Sequence, residues 1–333
     1  MSLGRTLKLN NGVTLPQVGF GTWQAAPGEV EKAVEEAIKV GYRHIDCALI
    51  VLCCSLPPQL ATPTENQDEV AQGIKASGVA REDLFLISKL WCNSASPANV
   101  EADLDTTLSQ LGTDYLDVYL IHWPVTFKAG KDLFPKSADG KTVILDDEAP
   151  GIVGTWKELV RISKETKKVK AIGVSNFTVE QLEKVIQATG VVPAMNQIEC
   201  HPSLIQPELF QYCKDKGIII TAYSPLGNNI TGKPRVLDHP EIKTIADRLG
   251  KEPAQVLIAW VAKQGFAVIP KSVTPSRIKS NFDDFELSDS DFEAINKIGQ
   301  ANQVRSNIPF VYNPSWPIDI FGTPEEKGQK KAW

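Results

Sequence analysis

The chain has 333 residues, 42% of them hydrophobic, and a formal net charge of -5. That is enough apolar material for a large core in one or two domains, and the mild acidity argues against nucleic acid or an anionic membrane as a partner. The N-terminus "MSLGRTLKLNNG" lacks an apolar signal core, no segment reaches the ~18 uninterrupted apolar residues of a membrane span, and six cysteines without framework spacing point to a reduced, cytoplasmic protein with no metal site.

In chain order, "LKLNNGVTLP" predicts an opening β-hairpin, with Asn-Asn-Gly between two alternating runs. Short aliphatic runs then alternate with amphipathic ones. The predicted strands are "PQVGF", "HIDCA", "LFLISKL", "LDVYLIHW", "KAIGVSN", "AMNQIE", "GIIITAYS" and "FAVIP". Helices are predicted over Glu29 to Val40, Asn66 to Ala76, Ala98 to Leu111, Val153 to Lys164, Val179 to Ala188, Pro207 to Lys216, and Pro240 to Gln264 in two pieces. Strands separated by helices pair in parallel through right-handed crossovers. A doubly wound sheet would carry GxGxxG after its first strand, whereas "GFGTW" lacks the third glycine. The expected fold is therefore an α/β protein, a (β/α)8 TIM barrel with an N-terminal β-hairpin. No linker divides it, so 1–333 reads as one domain. The proline- and aromatic-rich stretch 302–333 reads as a C-terminal arm over the mouth.

Side chains at the carboxyl ends of barrel strands meet at one mouth. Asp46, Lys89 and His122 end the second, third and fourth predicted strands. A buried acid and amine should pair, and such a pair beside a histidine suits proton transfer at a substrate oxygen. The plain alternative is a structural ion pair and a satisfied core histidine. A second cluster, Lys271, Ser272 and Arg277 around a helix start after the eighth strand, has the makings of a phosphate site, or of an ordinary basic turn.

These residues sit in "LPQVGFGTW", "GYRHIDCA", "ISKLW", "DYLDVYLIHWP", "IGVSNF", "NQIECHP", "AYSPLG" and "IPKSVTPSRI". In that order and spacing, the chain resembles the aldo-keto reductases over essentially its whole length, most of all fungal members that reduce glyceraldehyde, sugars or simple aldehydes, or oxidise glycerol. The resemblance implies NADP(H) as cofactor and a small carbonyl or polyol as substrate. It places Ser175, Asn176 and Gln197 on the carboxamide and Tyr223 under the nicotinamide ring. Gly21, Thr22, Ser224, Leu226 and Asn228 would line the ribose and pyrophosphate. Lys271, Ser272, Val273 and Arg277 would hold the 2′-phosphate, with Asn281 near adenine. Ser280 departs from the acidic residue frequent there. Trp23, Trp91, Trp123, Tyr312 and Trp316 would wall the substrate pocket. A monomer is the default, since no long exposed apolar stripe is evident.

One stretch breaks the family pattern. After Asp46 the family reads "HIDCAxxYxNExEV", with the acid, a tyrosine, five residues on. Here that position is Val51, or Thr64 if the extra residues precede it, and no tyrosine occurs between Tyr42 and Tyr115. The insertion 51–65 stands where two residues are expected. A positioned general acid contributes ~10²–10⁴-fold, so impaired turnover is expected. Three origins remain open: a splicing or gene-model variant, a natural variant that binds NADPH but turns over poorly, and an active enzyme with a rearranged acid. Cys53 and Cys54 would then lie near the mouth, as filler or as a vicinal thiol pair.

Overall fold

The computed structural model describes residues 2–23, 25–48, 51–52, 63–64, 66–228, 232, 234–301 and 303–332. Strands β1 (Thr6–Lys8) and β2 (Thr14–Pro16) form the expected antiparallel hairpin. Its turn is closed by Gly12, whose amide reaches the Leu9 carbonyl at φ +89. The barrel strands follow as β3 (Phe20–Gly21) and β4 (His44–Asp46), then, beyond the ribbon β5 (Val51–Leu52) and β6 (Pro63–Thr64), β7 (Phe85–Leu90), β8 (Leu116–Ile121), β9 (Val169–Ser175), β10 (Met195–Glu199), β11 (Ile219–Tyr223) and β12 (Ala267–Val268). All eight pair in parallel, in chain order from β3 and β4 through β7 to β12. The ring closes because Gly19 N–H donates to the Val268 carbonyl (2.8 Å) and Val268 N–H to Gln17 (2.9 Å).

Helices fall where the apolar periodicity places them: α1 (Val30–Val40), α2 (Gln67–Ser77), α3 (Pro97–Leu111), α4 (Gly151–Glu165), α5 (Val179–Thr189), α6 (Pro207–Lys216), α7 (Pro240–Leu249) and α8 (Pro253–Lys263). α9 (Pro275–Phe282) is the short helix expected after the eighth strand. α10 (Asp289–Ala301) was not expected. Its start was legible nonetheless, since the Ser288 hydroxyl caps the Asp291 amide at 3.1 Å. Glycines permit two close approaches inside the barrel. A Cβ on Gly19 would lie 2.4 Å from the His44 ring, and one on Gly173 2.6 Å from the Met195 carbonyl.

The barrel interior is graded. Its lower part is apolar, with Leu9 and Leu15 of the hairpin packed beneath Phe85, Ile87, Leu120 and Met195. Polar side chains collect at the upper end. There the arm crosses the mouth and joins Trp91, Trp123, Val125 and Phe127 through Trp316, Ile318 and Ile320. Backbone bonds tie it to the loop after β8: Ser315 N–H to the Lys141 carbonyl and Val143 N–H to Ser315. Of the insertion, the described part is the antiparallel ribbon, in which Val51 pairs with Thr64. Cys53, Cys54 and Glu65, and the arm's ends at 302 and 333, lie outside the described residues.

Candidate active site

β4 delivers Asp46 and β7 delivers Lys89, 6% and 2% exposed. The Lys89 ammonium donates to both Asp46 oxygens (2.9 and 2.8 Å) and to the Cys47 carbonyl (2.7 Å). From β10, the Gln197 side-chain amide donates to Asp46 Oδ1 at 2.7 Å. Every lysine proton is thus directed, which offsets the several kcal/mol that either charge would cost alone in this setting. The Thr22 hydroxyl and amide both reach the Asp46 carbonyl (2.9 and 3.2 Å), tying the β3 end to the same point.

His122 follows β8 and is half-buried. The Trp91 ring stands edge-on to it at 5.1 Å. Burial first, and then the Lys89 charge, hold the His122 pKa well below its ordinary value. The ring is therefore a neutral imidazole that offers a hydrogen bond rather than an imidazolium. Cys47 is inert for a related reason, since burial pushes its thiol up to about 12.

Beyond His122 the β9 end is knotted to β10 and β11. The Ser175 hydroxyl and the Asn176 amide both donate to the Gln197 carbonyl (2.8 and 2.9 Å). Asn176 Nδ2 reaches the His122 carbonyl (2.9 Å), and the Tyr223 hydroxyl donates to Asn176 Oδ1 (2.7 Å). Asn176 (φ 63) and Ser224 (φ 48) are the two non-glycine residues with left-handed backbone among those described. Each follows a barrel strand, and each costs about 1 kcal/mol that the surrounding bonds must sustain. Tyr223 is half-buried at the end of β11, held there by its hydroxyl bond to Asn176. Leu226 and Asn228 continue past it, half-buried, with the Leu226 carbonyl accepting from Leu237.

Gly21 lies at the β3–β12 seam, its amide on the Pro270 carbonyl at 3.1 Å. Just beyond, Lys271, Ser272 and Val273 lead into α9. The Ser272 hydroxyl accepts from Thr274 N–H (3.1 Å), Arg277 is exposed in the first turn and Asn281 is buried. Two cations, a hydroxyl and a helix start are the donor set a phosphate monoester requires, so these residues fit the adenosine end of a phosphorylated dinucleotide. Among the described residues the Ser280 hydroxyl bonds locally, to the Arg277 carbonyl.

The aromatic wall divides. Trp316 stands edge-on to Trp91 (5.9 Å), Trp123 (5.4 Å) and Tyr312 (6.0 Å). Trp23 is half-buried, and among the described residues no ring pairing joins it to the group. Tyr42 faces away from the mouth, its hydroxyl on the Ile278 carbonyl. Glu199 was not singled out from the sequence. It ends β10 fully buried, two residues beyond Gln197 on the same inward face. The strand-end rule that selects Asp46, Lys89 and His122 selects it equally.

A closed parallel barrel with an acid, an amine and a histidine at successive strand ends under an aromatic arm has the architecture of the (β/α)8 enzymes. Residues 17–300 match the aldo/keto reductase family, and the chain belongs to it. It is 52% identical to the D/L-glyceraldehyde reductase of Hypocrea jecorina over 98% of this chain and 97% of that one. It is 41% identical to the glycerol 2-dehydrogenase (NADP(+)) of Saccharomyces cerevisiae, covering 95% and 97%. Among solved structures, the aldose reductase of Schistosoma japonicum superposes with a TM-score of 0.80 at 36% identity, covering 93% and 96%. No described helix is long and apolar enough to cross a membrane.

Proposed function

We propose that this chain is an NADP(H)-dependent oxidoreductase of carbonyl and polyol substrates, built as one domain and acting as a cytoplasmic monomer, with turnover impaired by the insertion 51–65. The observation that carries the reading is the buried knot of Asp46, Lys89 and Gln197 beside a neutral His122. NADPH, when bound, supplies a hydride to the substrate carbonyl carbon. Ser272, Arg277 and the start of α9 would hold its 2′-phosphate, Tyr223 would support the ring, and Ser175 and Asn176 would orient the carboxamide. Gln197 is already committed in part to Asp46, which makes it a link between the cofactor's seat and the ion pair. His122 would direct the substrate oxygen, and Trp91, Trp123 and Trp316 would exclude water.

The proton is the weak step. Val51 and Thr64, the two places where a tyrosine would fall, are register partners in the ribbon, and neither residue type is an acid of suitable strength. A neutral imidazole releases its proton far less readily than an imidazolium, so His122 is a poor substitute. The missing acid also favours a second reading, an NADP(H)-binding protein with a regulatory role.

The test pairs the full chain with one in which 51–65 is replaced by tyrosine and one further residue. Both should bind NADPH, read by quenching of its fluorescence. The shortened chain should reduce glyceraldehyde about 10²–10⁴-fold faster. Equal turnover would place the acid elsewhere, and absence of NADPH binding would remove the reading altogether.

A further inference from the structure

The arm carries two of the mouth's aromatic side chains, yet among the described residues none of its charged side chains bonds to Asp46 or Lys89. Its root is held by a carboxylate at a different strand end. Glu199 accepts Ser306 N–H at 2.9 and 3.2 Å, Asn307 N–H at 2.9 Å and His201 Nε2 at 3.0 Å. Arg305 is the adjacent cation, but its guanidinium donates to Gln206 Oε1 and lies over the Phe321 ring; among the described residues it makes no hydrogen bond to Glu199. The carboxylate is therefore engaged by main-chain amides and one imidazole. Charge-assisted bonds of this kind are short and directional, and burying an anion to hold main chain costs enough that a neutral acceptor would serve if only cohesion were needed.

From this root the contacts run unbroken to the mouth. The Tyr312 hydroxyl donates to Asn307 Oδ1 (3.1 Å), Tyr312 meets Trp316, and Trp316 meets Trp91, which stands on His122. We propose that Glu199, oriented by His201, is a positioning residue that captures the amides of Ser306 and Asn307 and so sets where Tyr312 and Trp316 stand over the mouth. The effect on substrate rests on the function proposed above; the effect on the arm does not.

Glu199→Gln in the full chain is the test, because it keeps the side chain's size but turns an amide NH2 toward two N–H donors. Near-ultraviolet circular dichroism should lose part of the signal from the Trp91, Trp123 and Trp316 group. Limited proteolysis should cut within 303–332 about tenfold faster, and KM for glyceraldehyde should rise about tenfold with kcat little changed, the size expected for a lost charge-assisted bond. NADPH affinity should stay level. Glu199→Asp, with its carboxylate withdrawn by one methylene, should be intermediate, and it decides the matter if the glutamine variant does not fold. An unchanged dichroism signal and cleavage rate would overturn the proposal. So would parallel loss of NADPH affinity, melting midpoint and arm signal, which marks a general structural role. If the unmutated chain fails to bind NADPH, the functional reading fails while the arm measurements still decide this one.

Discussion

Two buried carboxylates stand at strand ends of the same barrel, and their partners differ in kind. Asp46 on β4 is held by side chains, Lys89 and Gln197, that belong to other barrel strands. Glu199 on β10 is held mainly by backbone amides of a segment laid on afterwards. The partners of Asp46 cannot leave without opening the barrel, whereas those of Glu199 can leave with the arm and find water. The same functional group therefore acts as a global constraint in one place and as a local latch in the other.

The largest break in this comparison is removal of one side of the ion pair. Asp46→Ala leaves the Lys89 ammonium buried against only the Cys47 carbonyl. A loss of about 3–5 kcal/mol is expected from a buried charge stripped of its partner, read as a shift in the urea midpoint. Lys89→Met combined with Asp46→Leu should recover most of it, because no lone charge remains. Removing the Glu199 carboxylate should move the midpoint far less. Equal midpoint losses for the two acids would erase the distinction.

How legible this was from sequence follows the same division. Runs such as "LFLISKL" and "LDVYLIHW" place β7 and β8 because a strand buried on both faces must be continuously apolar, and the polar residue that ends such a run stands out. Asp46, Lys89 and His122 are visible on that ground, and the grouping of Lys271, Ser272 and Arg277 around the start of α9 is visible in the sequence as well. The Glu199 latch is less visible, since half of it is backbone and carries no residue identity along the arm. The Gln197 bond to Asp46 was hidden for another reason: resemblance assigns the side chain to a cofactor, while packing gives it a second partner. Trp23, expected in the aromatic wall, makes no ring pairing among the described residues, and sequence names aromatic residues without directing them.

A pH titration sharpens the comparison next. His44 lies on the inward face below Asp46, its Nδ1 on the Pro16 carbonyl at 3.0 Å. Burial lowers its pKa from 6.5 to about 4, against the opposing pull of Asp46 and of that carbonyl. The unfolded chain takes up this proton first, so the stability His44 contributes is whole above pH 6.5 and is lost as pH falls toward about 4. The full difference amounts to about 3 kcal/mol, and His122 acts in the same direction. Burial alone would raise Glu199, but the His201 hydrogen bond, its charge and that of Arg305, and the Asn307 amide hold it below the ordinary carboxylate value. Its contribution is therefore intact until pH drops beneath that range, near ~4.3. Between pH 6.5 and about 4.5 the urea midpoint should fall while the tryptophan dichroism of the folded protein persists. Arm signal lost first would reverse the ranking of the two carboxylates.

The smallest effect belongs to the arm's far end, where a neutral side chain, Gln181, is one anchor beside the exposed ion pairs of Lys330 with Asp147 and Lys331 with Glu180. Gln181 is fully buried at the start of α5. Its side chain closes a capping box with Thr178, accepting Thr178 N–H at 3.0 Å, and donates to the Ile320 carbonyl at 3.0 Å. Next to it a cleft of about 500 Å³ separates α5, α6 and the arm, lined by Val179, Leu209, Ile320 and Phe321 among others. Gln181→Leu should loosen residues near Ile320 by about 1 kcal/mol, the usual scale of a neutral hydrogen bond and of a lost cap contact, read as faster amide exchange of Ile320 and Phe321. The signals of Ser306 and Asn307 should not move, because their acceptor is Glu199, which makes no hydrogen bond to Gln181 among the described residues. Exchange that quickens at both ends together would mean the arm lifts as one piece, and the latch at Glu199 would then govern the whole segment rather than its root alone.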